Sequence, residues 1–194
     1  MFLRVLFFTF LQVIPIYFWF NNLKKKKSNV DFRLLLSYFL FGSWFGMFGE
    51  LFLFKFIDFI FHSPIWEYRV MPIHKGITSS FGPIMWGLAA VYVCLHFHAQ
   101  DNSKKQHPLL KFALEAGFLL VLELLFNFAA YGIFHDYYFY YHVPDLFHWS
   151  SFTNMPFWWV GYKMMVKYAE IMNRQEKFNF ALAVMMIVVA FAYQ

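Results

Sequence analysis

The sequence predicts an all-α integral membrane protein, a bundle of about six transmembrane helices that contains a parallel tandem repeat of helical hairpins. Three observations predict it. Of 194 residues, 61% are hydrophobic and 25% aromatic, against 14% charged, more apolar surface than a soluble domain of this length has interior to hide. The apolar residues form long blocks rather than amphipathic stripes, which points to lipid as the solvent. Finally, a stretch that begins at Glu50 reappears 73 positions later at Glu123.

Six blocks can be marked: 2–20, 34–61, 77–97, 109–134, 146–166 and 178–193. A span needs roughly 20 residues, so the second is long enough to tilt and the last is short. The first has Arg4 before it but no small-residue cleavage site, and "NNLKKKK" follows. It therefore reads as a retained lead helix rather than a cleaved signal. Asn154, Pro156 and Lys163 interrupt the fifth block, which makes a broken or re-entrant segment its alternative reading. The whole chain, 1–194, reads as a single membrane domain. It comprises the lead helix, one repeat over 34–97, a second over 109–166, and the tail helix.

Charge placement sets the orientation. Lys24, Lys25, Lys26, Lys27 and Arg33 fall in one loop, Lys104, Lys105 and Lys111 in the next, and Lys163, Lys167, Arg174 and Lys177 in the third. Only Arg4, Lys55, Arg69 and Lys75 fall towards the other side, a split of twelve to four. The lysine-rich loops are then cytoplasmic, and both termini face outward if all six blocks span. The net charge of +5 thus reads as topology and not as a nucleic-acid face. The single cysteine, Cys94, reads as a packing residue.

Laid over one another without gaps, 50–86 and 123–159 share nine identities in 37 positions, Glu50/Glu123, His62/His135, Tyr68/Tyr141, Pro83/Pro156 and Trp86/Trp159 among them. Coincidence between two aromatic hairpins is the plain alternative. If the repeat is real, each copy is a helical hairpin with an outward loop, and the copies are parallel about an axis along the membrane normal. "IFHSPIWEYRV" and "IFHDYYFYYHV" then lie side by side on the outer face.

Glu50, Glu115 and Glu123 interrupt the apolar blocks. An acid there costs a few kcal/mol unless it faces protein, water or a partner. Gly42, Gly46 and Glu50 are spaced by four, so the glycines permit close helix approach and carry Glu50 into the bundle. Glu123, Asn127 and Tyr131 form the matching stripe. Glu50 and Glu123 are the catalytic candidates, as a general acid/base pair, a proton relay or a cation site. The plainer reading makes them protonated glutamates that glue helices through Asn127 or hydroxyls. Lys55 and Asp58 read as a structural pair or as snorkelling residues.

Candidate ligand-binding residues are Asn127, Tyr131, His62, His135, Trp86, Trp158, Trp159, Tyr68 and Asn154. Tyr137, Tyr138, Tyr140 and Tyr141 suit the headgroup level, where tyrosine gathers anyway. His142, Asp145 and His148 offer a weak metal set, with Pro144 against a regular helix there. No HExxH, paired cysteine, phosphate loop or GxSxG turn occurs, so no cofactor is expected.

"SPIWEYRVMPIHKGITSSFGPIMW", with "YYHVPDLFHWSSFTNMPFW" after an acid-bearing helix, resembles a family of small polytopic membrane proteins from spore-forming Firmicutes. That resemblance covers roughly 34–167 and implies a membrane location without an activity. "FGMFGE", "IHKGITSSFGPIMWG" and "VLELLFNF" are similar in layout to ABC-transporter permease-like membrane proteins, with "HKGITSSFGPIMWG" standing where those carry an "NRG…GP…PIYG" loop. The order of acid, "GP" and an aromatic helix with Asn154 and Trp158 is also similar to the sterol-isomerase/sigma-2-receptor domain. That likeness implies a bundle that binds flat lipids, with Glu50 and Glu123 for proton transfer and Trp86 and Trp158 as cavity wall.

The reading that follows is an outward-facing, acid-lined aromatic cavity for a lipid-like or amphipathic small molecule, in a binding or transport-accessory role. The rivals are a membrane enzyme acting on an isoprenoid or sterol-like substrate and a structural subunit. The expected partners are the lipid bilayer and that small molecule, with a homo-oligomer or a membrane complex left open and nucleic acid excluded.

Overall fold

The computed structural model describes residues 2–26, 29–69, 73–74, 78–79, 81–100, 107–172 and 176–192. Lys27, Val70, Lys75, Ile77, Lys104, Lys105, Arg174 and Tyr193, all used in the sequence reading, lie outside the described residues. His74, Lys177 and Phe178 are described in their backbone alone. The described residues are all-α in class, with six helices: α1 (Phe2–Lys25), α2 (Phe32–Phe61), α3 (Gly82–Ala99), α4 (Pro108–Phe134), α5 (Met155–Met172) and α6 (Glu176–Ala192). Three stretches, Leu3–Lys25, Phe32–Ile60 and Gly82–Ala99, are long and apolar enough to cross a membrane.

Local chemistry sets the helix ends. Asp31 caps α2 by accepting the Leu34 N–H at 2.7 Å, which satisfies a donor the helix leaves unpaired. Pro108 opens α4 at a position where no N–H is needed. His62 and His135 end α2 and α4 in the left-handed conformation, with φ of 50° and 58°. Their N–H groups return to Asp58 and Tyr131, each at 2.9 Å.

Helix α2 packs most extensively on α3, and glycines make that contact close. A Cβ on Gly42 would lie 2.3 Å from Ala90 Cβ and 2.7 Å from the Trp86 carbonyl; one on Gly46 would meet the Trp86 ring at 2.4 Å. The face of α2 that carries Gly42, Gly46 and Glu50 therefore lies against α3 at a separation no larger residue permits. Gly42→Ala should cost about 1–3 kcal/mol through overpacking, seen as a lower melting temperature in detergent. Gly117→Ala, whose Cβ would meet nothing within 4 Å, should leave the melting temperature in place.

Helix α1 packs across α3 and α4. There the buried Phe8 ring meets Phe134 at 5.8 Å and Tyr138 at 5.7 Å. Helix α6 lies on α2 and α3, with Met47 and Met186 in contact.

Two short antiparallel ladders close one end of the bundle. Strand β1 (Trp66–Tyr68) pairs with β4 (Phe139–Tyr141) in the register Trp66↔Tyr141, Glu67↔Tyr140, Tyr68↔Phe139. The second ladder joins β2 (Ile73–His74) to β3 (Thr78–Ser79). The fifth apolar block departs from its expected start. Asp145–His148 and Phe152–Asn154 are 3-10 turns, and α5 begins only at Met155. Leu146 and Phe147 have φ of 46° and 58°, and Asp145 Oδ2 accepts the Phe152 N–H at 2.8 Å. Turn chemistry thus holds this stretch out of the helix.

Candidate functional site

Between α2, α3, α4 and α5 lies a cavity of about 600 Å³, closed at one end by β1 and β4. That size and an apolar wall with few polar groups suit a small-molecule site. Strand alternation explains the polar–aromatic loops. Trp66, Tyr68, Phe139 and Tyr141 turn towards the cavity, while Glu67 and Tyr140 lie between them on the other face. On that outer face Arg69 holds Glu67 at 2.8 Å and lies 3.9 Å above the Tyr140 ring.

Glu50 is buried on α2. It accepts hydrogen bonds from the Tyr68 hydroxyl at 2.5 Å, the Thr78 hydroxyl at 3.2 Å and the Trp86 indole N–H at 3.1 Å. Glu123 is its counterpart on α4, accepting from the Tyr141 and Ser150 hydroxyls. Trp158 lies close to the same carboxylate, its buried Nε1 failing to meet hydrogen-bond geometry. Its ring sits 5.5 Å from that of Trp86. Burial first, then the charge of Glu50, holds the Tyr68 phenol well above its ordinary range; burial and Glu123 do the same for Tyr141. Both remain protonated donors at neutral pH. Asn154, also buried, lines the cavity near Tyr141.

Other candidates lie elsewhere. Asn127, fully buried, donates from Nδ2 to the carbonyls of Phe139 and Trp149 at 2.7 and 2.8 Å. Its Oδ1 accepts the N–H groups of Tyr138 and Phe139 at 2.8 and 3.4 Å. Every polar position of that side chain is spent on holding the loop and β4 to α4, and it does not line the cavity. Tyr131 is exposed and packs on Tyr137 and Trp149. His62 and His135 are the exposed helix caps.

Trp159 turns away from the cavity and gives its indole N–H to Glu115 at 2.9 Å. It neighbours Trp158, and consecutive helical residues point about 100° apart. The metal set is not assembled either. His142 faces Glu67 at 3.8 Å, Asp145 binds the turn, and His148 Nδ1 meets the Tyr141 carbonyl at 2.7 Å. Among the described residues no group of three His, Cys, Asp or Glu is placed to hold a metal ion.

Sequence reasoning missed Ser150 and the partner of Glu115. Lys163 lies 2.5 Å from Glu115; the sequence marks it as a topology signal and as an interruption of the fifth block, not as a partner of that acid. The exposed members of the cavity wall, Phe48, Phe52, Phe157 and Val160, all come from α2 and α5. The cavity therefore opens sideways between those two helices. Gly49 and Gly161 sit at this mouth, where an added Cβ would meet nothing within 4 Å.

No protein-family model matches this chain, and no curated protein or solved structure matches it either.

Proposed function

We propose that the chain is a six-span protein of the bacterial plasma membrane that takes a lipid-like or amphipathic small molecule sideways from the bilayer, in a binding or transport-accessory role. One observation carries this reading: a cavity that opens between α2 and α5 past the exposed Phe48, Phe52, Phe157 and Val160, with two buried acids at its closed end. A soluble metabolite would have no route through such a mouth, whereas an acyl or isoprenoid tail would meet only phenylalanine and valine on its rim.

An internal repeat, proposed with it, would fit the same reading. The bonds from Tyr68 to Glu50 and from Tyr141 to Glu123 each span 18 residues and are offset by 73. In the β1–β4 ladder Glu67 pairs with Tyr140, its own equivalent under that offset, as a two-fold axis passing between them requires. Where the first copy has Gly49 at the mouth, the second has the buried Leu122. Where α5 has Gly161, α3 has the buried Leu88. The mouth exists on the side where glycines replace leucines, and α1 covers the other.

Gly161→Leu should fold normally, because its side chain enters open space, and should fill the mouth. We expect unchanged melting and an amphiphile occupancy in native mass spectra reduced about tenfold, as displacing ~1.4 kcal/mol of ligand contact implies. Undiminished occupancy would place the ligand elsewhere. A second reading, proton-transfer chemistry, is favoured by the tyrosine on each carboxylate. It requires turnover that disappears with Glu50→Gln while ligand is still bound.

A further inference from the structure

Three acids are buried in the apolar helices, and they are not treated alike. Glu115, 1% exposed, is answered by Lys163 at 2.5 Å. Among the described residues Glu50 and Glu123 receive hydrogen bonds only from neutral hydroxyl and indole groups. The cavity wall contains, among the described residues, no lysine, arginine or histidine. The two carboxylates also lie within electrostatic reach of each other. Two acids in an apolar, low-dielectric space call for a positive counterpart, and the described residues supply one to Glu115 but none to this pair.

The surrounding surface is suited to an organic cation. Trp66, Trp86, Trp158, Tyr68, Tyr138 and Tyr141 line the same space, and aromatic faces attract ammonium groups, most strongly when water is excluded. Tyr138 is 1% exposed, and its hydroxyl meets no partner at hydrogen-bond geometry, although Ser79 and Glu50 lie near it. Its oxygen is free to accept from an ammonium N–H. A divalent metal ion fits poorly, because among the described residues no group of three His, Cys, Asp or Glu is placed to hold one. An anionic headgroup would face two acids with no base beside them.

Resting on the lateral-cavity reading, we propose that the occupant is a cationic amphiphile, an apolar tail bearing an ammonium group that sits between Glu50 and Glu123 within the aromatic wall.

The test uses the full chain in zwitterionic nanodiscs and three probes of one tail length: dodecylamine, 1-dodecanol and dodecanoate. Binding is read by native mass spectrometry and by the shift in melting temperature. The amine should bind about tenfold or more tighter than the other two, the range of a hydrogen bond to a charged group. Glu50→Gln/Glu123→Gln, which keeps acceptors for Tyr68 and Tyr141, should erase that preference. Equal binding of amine and alcohol, both lost in Gly161→Leu, would overturn the charge assignment and leave the cavity reading standing. An amine preference that survives the double substitution would overturn it too. If none of the three binds, both readings fail.

Discussion

Asn127→Leu should lower stability by about 2–4 kcal/mol, since it strands two carbonyls and two N–H groups, one of the four bonds buried and three partly buried, where a fully buried group costs ~1–3 kcal/mol. The carbonyls belong to Phe139 and Trp149 and the amides to Tyr138 and Phe139. One side chain thus ties α4, β4 and the turn before α5 together. Beyond the lower melting temperature, hydrogen exchange should speed up at Tyr138 and Phe139 while the centre of α4 remains protected. A loss under about 1 kcal/mol would mean that water or a rearranged loop satisfies these groups, and that Asn127 is not the brace it is taken to be.

Lys163→Met should be the second large effect. It leaves Glu115, 1% exposed, without its cation and, among the described residues, with the Trp159 indole as its hydrogen-bond donor. Breaking a buried pair from one side typically costs ~3–5 kcal/mol. Lys163 keeps 38% of its side chain exposed, and solvent screening brings the expectation to about 2–3 kcal/mol. Glu115→Leu/Lys163→Met should recover most of that loss, because no charge is then left stranded. Thermal unfolding of the single and double variants checks it. A double variant as unstable as the single would show that Lys163 acts through packing on α5 and not through charge.

Much of the helical frame is legible in the sequence, because a chain this apolar must satisfy its backbone within each segment. The acids are legible for the same reason, since a glutamate among leucines is costly unless something receives it. What failed was the finer geometry. Four residues turn a helix by 400°, so each step from Glu123 to Asn127 to Tyr131 drifts about 40° around the axis. By Tyr131 the stripe has left the cavity face, which instead runs through Leu119, Leu122, Glu123 and Phe126.

Trp158 and Trp159 could not be told apart without the phase of α5. Lys163 stands 48 residues from Glu115, and nothing local joins them. The β1–β4 ladder is three residues long on each side, too short for any periodicity to announce it. Composition alone suits Tyr141 to the interface, yet the offset that relates Glu50 to Glu123 also relates Tyr68 to Tyr141, and that signal is present in the chain.

The β1–β4 ladder has one more consequence. Tyr68 and Tyr141 stand at opposite ends of it, and each grips the acid of its own half. Backbone hydrogen bonds join the strands, so the two phenols that hold the acids are carried by one bonded element and not by two separate loops.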